Sequence, residues 1–285
     1  MWSSLKAYSV PSISYDKITE KEVNRRVIMK ISIIGAGKMG TAIIKGLINN
    51  GQNPKQILVK TGHYENALNL RQSLGITAVQ ALSDLATSDI YILATPATLI
   101  TKTLSELSNI NQQNAPIISV AAGVSFDEML AIYPNAPLLR CIPNTPVAIN
   151  QGMTSFSTSS HLSDNQKTLA INLLNQLGHT IEVPEDKLGI AGTIAGCSPA
   201  FIDVFIEALS DAAVTNGLDR ALSYEIITEM MKGSAALAAE SKIHPGILKD
   251  DVTSPGGDTI KGVVALEKNN FRFAVIDAIN TILQD

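Results

Sequence analysis

Lys30-Ile31-Ser32-Ile33-Ile34-Gly35-Ala36-Gly37-Lys38-Met39-Gly40 joins an apolar run to a glycine turn and then to a helical pattern. The run reads as a buried strand. From Met39 to Asn49 the apolar residues recur at helical period. Between them, Gly35-x-Gly37-x-x-Gly40 has the spacing of a dinucleotide-binding turn in its required strand–turn–helix context. Gly35 permits the tight turn, Gly37 lets the backbone approach a pyrophosphate, and Gly40 allows the helix to pack closely on the strand. The expected cofactor contacts here are Gly35, Ala36, Gly37, Lys38, Met39 and Gly40.

Outward from this turn, short strands and helical patterns alternate. Ile57–Val59, Ile90–Ala94, Ile117–Ala121, Leu138–Ile142, Met153–Phe156 and Thr180–Val183 read as strands. Glu65–Leu74, Ala97–Leu107 and Asp164–Leu177 read as helices, the last opened by a Ser163/Gln166 capping box and ended by Gly178. Continuous Val/Ile/Leu runs between helices indicate a mostly parallel sheet covered on both faces. After Pro184 the strand patterns stop. Ser198-Pro199 reads as the cap and first turn of a long helix toward Thr215, followed by helices over Ser223–Glu240, Pro255–Glu267 and Phe271–Leu283. The predicted class is α/β: a Rossmann-type parallel sheet with helices on both faces, then an all-α domain. The expected boundaries are a non-catalytic leader at 1–28, a dinucleotide-binding domain at 29–184 and a helical domain at 185–285. Ala235, Ala236, Ala238, Ala239, Val263, Val264 and Leu266 make the helical faces broad for a lone unit. A homodimer interface would use them, and an internal bundle core is the alternative.

Composition narrows the classes. The 285 residues are 45% hydrophobic and 17% charged, with a formal net charge of -4. A packed core is expected, and nothing favours a nucleic-acid partner. No uninterrupted apolar run reaches the ~18 residues a membrane span needs, so no membrane role is expected. Cys141 and Cys197 form no metal-binding spacing and read as free thiols of a reducing, cytoplasmic compartment. Residues 1–28 lack the apolar stretch of a secretory signal.

The second strand bears on the choice of dinucleotide. An NAD site usually carries Asp or Glu at that strand end for the ribose 2′-OH. Here the strand runs into Lys60-Thr61-Gly62-His63, and Glu65 belongs to the next helix. Lys60, Thr61 and His63 suit a 2′-phosphate, with Arg71 more remote. NADPH is therefore the expected cofactor, with NADH as the alternative.

A second anion-binding pattern lies near the C-terminus, at Val252-Thr253-Ser254-Pro255-Gly256-Gly257-Asp258-Thr259. Ser254 suits a helix N-cap and Pro255 the first helical position. Gly256 and Gly257 would leave amides bare for a small carboxylate, aided by the helix dipole. Thr259 would hold a second group of the same molecule. An ordinary capped turn is the competing reading.

Taken with these two sites, other motifs resemble the pyrroline-5-carboxylate reductases in the same order along the chain. Ser119-Val120-Ala121-Ala122-Gly123-Val124, Arg140-Cys141-Ile142-Pro143-Asn144-Thr145-Pro146, Gly196-Cys197-Ser198-Pro199-Ala200-Phe201 and the region from His244 to Glu267 carry the resemblance. It runs from about Met29 to the C-terminus. It implies reduction of the C=N bond of a five-membered cyclic imino acid to L-proline, and a homodimer formed through the helical domain, with a ring of dimers as an extension. It also implies cofactor contacts at Ala94, Thr95, Pro96, Ala122, Gly123 and Asn144. Val252, Ser254, Gly256, Gly257, Asp258 and Thr259 would bind substrate, and Thr259 would stand by the ring nitrogen as the catalytic group. The sequence departs from the family pattern at Ala94-Thr95-Pro96-Ala97, which lacks the usual Lys, at Ser198 and at Asp258. A paralogue reducing a related cyclic imino acid is one alternative. A β-hydroxyacid-type dehydrogenase and a non-catalytic NADPH-binding regulatory protein are others. His244, before Pro245, is expected to shape a turn rather than act as an acid.

Overall fold

The computed structural model describes residues 29–284, so the leader expected at 1–28 lies outside the described residues. The strands are β1 (Ile31–Ile34), β2 (Ile57–Lys60), β3 (Thr77–Ala78), β4 (Ile90–Leu93), β5 (Ile117–Ser119), β6 (Leu138–Pro143), β7 (Gly152–Thr158) and β8 (Gly178–Glu182). They form one sheet in the order β3-β2-β1-β4-β5-β6-β7-β8. Strand β1 lies between β2 and β4, with Ile31 opposite Ile57 and Ile90 in parallel register. Among the described residues only the β6–β7 pair is antiparallel. The strand order reverses at β1/β4, the switch point where an open α/β sheet leaves a crevice at its carboxyl edge.

Helices α1 (Lys38–Asn49), α2 (Tyr64–Leu74), α3 (Ala97–Ser108), α4 (Phe126–Ile132) and α5 (Asp164–Asn175) cover the sheet. All four residues of β1 are buried, because the pleat sends alternate side chains to opposite faces and both faces are covered. Ile31 and Ile33 pack with Ile43, Leu47 and Leu174 in one cluster. Ile34 packs with Leu93, Ile100, Leu104 and Leu138 in the other.

Helices α6 (Glu185–Thr215), α7 (Arg220–Ser241), α8 (Pro245–Asp251), α9 (Asp258–Lys268) and α10 (Phe271–Leu283) follow. Helix α6 is seated on β6: a Cβ at Gly192 would overlap the Ile142 side chain. Its first residue is tied to the sheet as well. Glu185 pairs with Arg140 of β6 and accepts from the Phe126 amide at 2.7 Å.

Three expected boundaries are corrected. The long helix opens at Glu185, not Ser198, and Pro199 lies inside it. A Pro in a helix interior removes one hydrogen bond without always ending the helix, and here neighbouring packing carries α6 through. The last helix of the sheet half stops at Asn175 with Gln176 as its C-cap, and Gly178, at φ +140, opens β8 instead. The third correction concerns Ser254-Pro255, which does not start a helix. The Gly257 amide donates to Ser254 O at 3.0 Å, and Gly256 has φ +70. Pro at the second position and a positive-φ Gly at the third make a type II turn, so the helix begins at Asp258. Strand β3 and helix α4 were not anticipated. For α4 the signal was present, since Ser125 and Glu128 form a capping box.

The most apolar 18-residue window of α6 has mean hydropathy 1.5, and 6% of it is buried within the chain. By length and composition this helix matches a membrane span, although no uncharged run in it is long enough. Most of its apolar residues lack cover inside one protomer, and the same is true of α7 to α10, with Leu188 and Ile227 as buried exceptions.

Candidate dinucleotide and substrate sites

A cavity of about 980 Å³ opens at the carboxyl ends of β1, β2 and β4. The glycine turn forms its floor. Gly35 sits at φ +95, and a Cβ there would press on the Ala94 carbonyl. Gly40 faces Gly35 so closely that a Cβ would overlap its carbonyl oxygen. Gly37 is the N-cap of α1, has no side chain to close the helix, and has open space where a Cβ would stand. The first amides of α1 therefore point to the cavity without an intrahelical acceptor, at the positive end of the helix dipole. Thr41 Oγ1 donates to Ala36 O at 3.1 Å and holds the turn.

The walls come from several elements. Lys60, Thr61, Gly62 and His63 follow β2, and Thr61 Oγ1 donates to His63 O at 2.7 Å. Ala94, Thr95 and Pro96 follow β4, and Ala122 follows β5. Thr95 Oγ1 is buried with no hydrogen-bond partner among the described residues. A buried hydroxyl without a partner is costly unless a ligand satisfies it. The bare helix amides, the open space at Gly37, the cationic Lys38 and Lys60, and this hydroxyl all fit a dinucleotide phosphate and its ribose. Asn66, Leu99, Lys102, Thr103 and Glu106 also line the cavity and were missed in the sequence. The helical phase of α3 was the signal for the last four, since Leu99, Lys102, Thr103 and Glu106 share one face.

Three expected cofactor residues do not line the cavity: Gly40, which packs behind the turn on the Gly35 carbonyl, Gly123 and Asn144. Asn144 is buried, donates to Ala195 O at 3.1 Å and accepts from the Met153 amide at 2.8 Å. Each end of its side chain thus makes a hydrogen bond inside the protein.

The expected substrate residues Val252, Ser254, Gly256, Gly257, Asp258 and Thr259 lie outside the cavity of their own protomer. The Gly257 amide is occupied by the turn, and the amides of Asp258, Thr259 and Ile260 at the start of α9 have no intrahelical acceptor. Thr259 is exposed, and Asp258 reaches Lys261 at 2.9 Å. Gly257 has no room for a Cβ, which would overlap Ser254 Oγ. His244 caps α8, its Nδ1 accepting from the Gly246 amide at 3.1 Å, as expected of a turn residue. Cys141 is buried, and burial pushes its thiol far above the ordinary range, so no thiolate is available at neutral pH.

The doubly wound sheet with a glycine cradle at its switch point defines a dinucleotide-binding oxidoreductase. A model of NADP oxidoreductases, coenzyme F420-dependent, matches residues 30–123, and a model of pyrroline-5-carboxylate reductase dimerisation matches residues 185–285. The pyrroline-5-carboxylate reductase of Escherichia coli (strain K12) is 36% identical over 258 residues, covering 90% of this chain and 96% of that protein. Pyrroline-5-carboxylate reductase 3 of Mus musculus is 32% identical, covering 88% and 92%. Among solved structures, the Plasmodium falciparum pyrroline carboxylate reductase with NADP bound superposes with a TM-score of 0.80 at 26% identity, covering 89% of this chain and 95% of that one. The chain belongs to the pyrroline-5-carboxylate reductase family.

Proposed function

We propose that this protein reduces the C=N bond of 1-pyrroline-5-carboxylate to L-proline with NADPH. What carries the reading is the open glycine cradle, with its bare helix amides and unpaired Thr95 hydroxyl, in a chain similar to these reductases over nine-tenths of its length. Gly35 to Gly40 would hold the pyrophosphate, and Lys60 and Thr61 the 2′-phosphate. Ala94, Thr95, Pro96 and Ala122 would border the rest of the dinucleotide. When bound, NADPH supplies the hydride for the imine carbon; the ring nitrogen takes its proton from solvent or arrives protonated. The amides opening α9 receive the substrate carboxylate, and the Thr259 hydroxyl orients the ring nitrogen. Most of the protein's contribution is then orientation.

The division at 29–184 and 185–285 follows the change from sheet to helices. Since the α9 loop does not border its own protomer's cavity, a partner protomer delivers it: the dimer formed through the helical half completes the site. A ring of dimers is a further step in the same assembly. The uncovered face of α6 belongs to that interface rather than to a bilayer, and the compartment is cytoplasmic.

NADPH oxidation, followed by absorbance with 1-pyrroline-5-carboxylate beside its six-membered homologue, tests the reading. Turnover of the five-membered imine is expected. Preference for the six-membered ring would move the assignment to a paralogue, which the exposed Asp258 carboxylate at the proposed carboxylate site favours. Tight NADPH binding without turnover of either would leave a regulatory protein.

A further inference from the structure

Pro199 lies in the interior of α6 and has no N–H. Its missing donor would have served the carbonyl one turn back, that of Ala195. The Asn144 amide fills this vacancy, with Nδ2 donating to Ala195 O at 3.1 Å. Its Oδ1 accepts from the Met153 amide of β7 at 2.8 Å. Asn144 is therefore bonded at once to the helical half and to the sheet. It also precedes the short 3₁₀ turn Thr145–Ile149, which presses on α1. Asn49 Nδ2 donates to Ala148 O at 2.9 Å, and Asn150 Nδ2 donates to Gly46 O at 2.8 Å. Gly46 has no space for a Cβ, which would overlap the Val147 carbonyl. An unbroken set of contacts thus runs from the proline of α6, through Asn144 and the 3₁₀ turn, to the helix whose first turn forms the glycine cradle.

We propose that Asn144 is a positioning residue that supplies the hydrogen bond Pro199 cannot make, and so fixes α6, and the interface it carries, relative to the cofactor cradle. Asn144 touches neither substrate nor cofactor in this role. The alignment of two reacting groups held by different halves of the molecule then depends on a side chain outside the cavity. Its kinetic readout rests on the proposed imine reduction; its thermal and binding readouts do not.

A double-mutant cycle tests it. Asn144→Ala should lower kcat about tenfold, the size of one lost positioning hydrogen bond, and leave the NADPH Kd within about twofold. Pro199→Ala returns the backbone N–H to Ala195 O. In the Asn144→Ala background it should recover kcat at least about threefold and raise Tm, although the same change alone gains little. Asn144→Asp, which keeps the acceptor for Met153 and loses the donor, provides a second starting point and should be rescued in the same way. Strict additivity of the two changes in kcat and Tm would overturn the proposal. So would a tenfold rise in NADPH Kd that Pro199→Ala leaves untouched, since that would make Asn144 a direct cofactor ligand. If neither imine is turned over, coupling in Tm alone decides the matter.

Discussion

In the sheet half, Ile31, Ile33, Ile43, Leu47, Ile92, Leu104 and Leu138 are no more than 1% exposed; in the helical half, Ile226, Leu237, Val264, Phe273 and Ile276 are 52% to 65% exposed. The two sets are chemically alike. The sheet half has closed a core on both faces within one chain. The helical half has made long apolar helices whose cover must come from a second chain, as in obligate interfaces that resemble a core cut in two. The cofactor cradle accordingly belongs to the part that is complete alone. The candidate substrate loop belongs to the part that is not. Under the proposed function, activity then depends on assembly.

Putting charge into the uncovered faces is the strongest way to break the contrast. Ile226→Glu combined with Ile276→Glu should yield monomers by analytical ultracentrifugation and lower turnover by ~100-fold or more, because a buried unpaired carboxylate costs several kcal/mol. A dimer with full activity would show that these faces are not the interface. Next in size, Ile43→Ala should cost about 2–5 kcal/mol in urea unfolding, the usual range for a buried Ile. It should leave the dimer dissociation constant within about threefold, because distant sites act independently. A tenfold shift would mean that the halves are not separable in this way. Thr259→Ala should lower kcat/KM by one or two orders of magnitude, as roughly one site-positioned hydrogen bond is lost. NADPH affinity should be unchanged in that variant, since Thr259 lies outside the cradle.

The smallest expected effect lies on the far edge of the sheet. Lys167 holds the Glu182 carboxylate below its ordinary range through a hydrogen bond at 2.7 Å, and Thr158 adds another at 2.8 Å. A carboxylate with a depressed folded pKa contributes stability above its unfolded pKa, and that contribution fades as pH falls through the folded value. Glu182→Gln should therefore lower Tm slightly at pH 7 and by less below the usual carboxylate range, because an exposed pair is worth little. A difference that grew on acidification would reverse the assigned sign.

Legibility in the sequence varied with how local the determining interactions were. The strand–glycine–helix unit at Ile31–Asn49 was readable because turn, φ requirement and helix start are all specified by adjacent residues. The capping box at Ser163 and the His244 turn were readable for the same reason. Ser254-Pro255 was misread because a Pro after a Ser suits a helix start and a type II turn equally. The positive φ of Gly256 made the choice. Ser198-Pro199 was misread because the carbonyl that the proline leaves without its helical donor, that of Ala195, is bonded by Asn144, fifty-one residues earlier in the chain. Asn144 was expected at the cofactor; its bonds to α6 and β7 leave no pattern in the sequence.

Periodicity, glycine spacing and composition were enough to establish a doubly wound dinucleotide-binding half and an apolar helical half, since each depends on neighbours within a turn or a strand. Folding in three dimensions settled where α6 begins, which amides stay bare, and that the cradle and the α9 loop of one protomer do not share a cavity. Those outcomes depend on contacts between residues far apart in the chain, which the geometry of the packed sheet and helices sets and local preference does not.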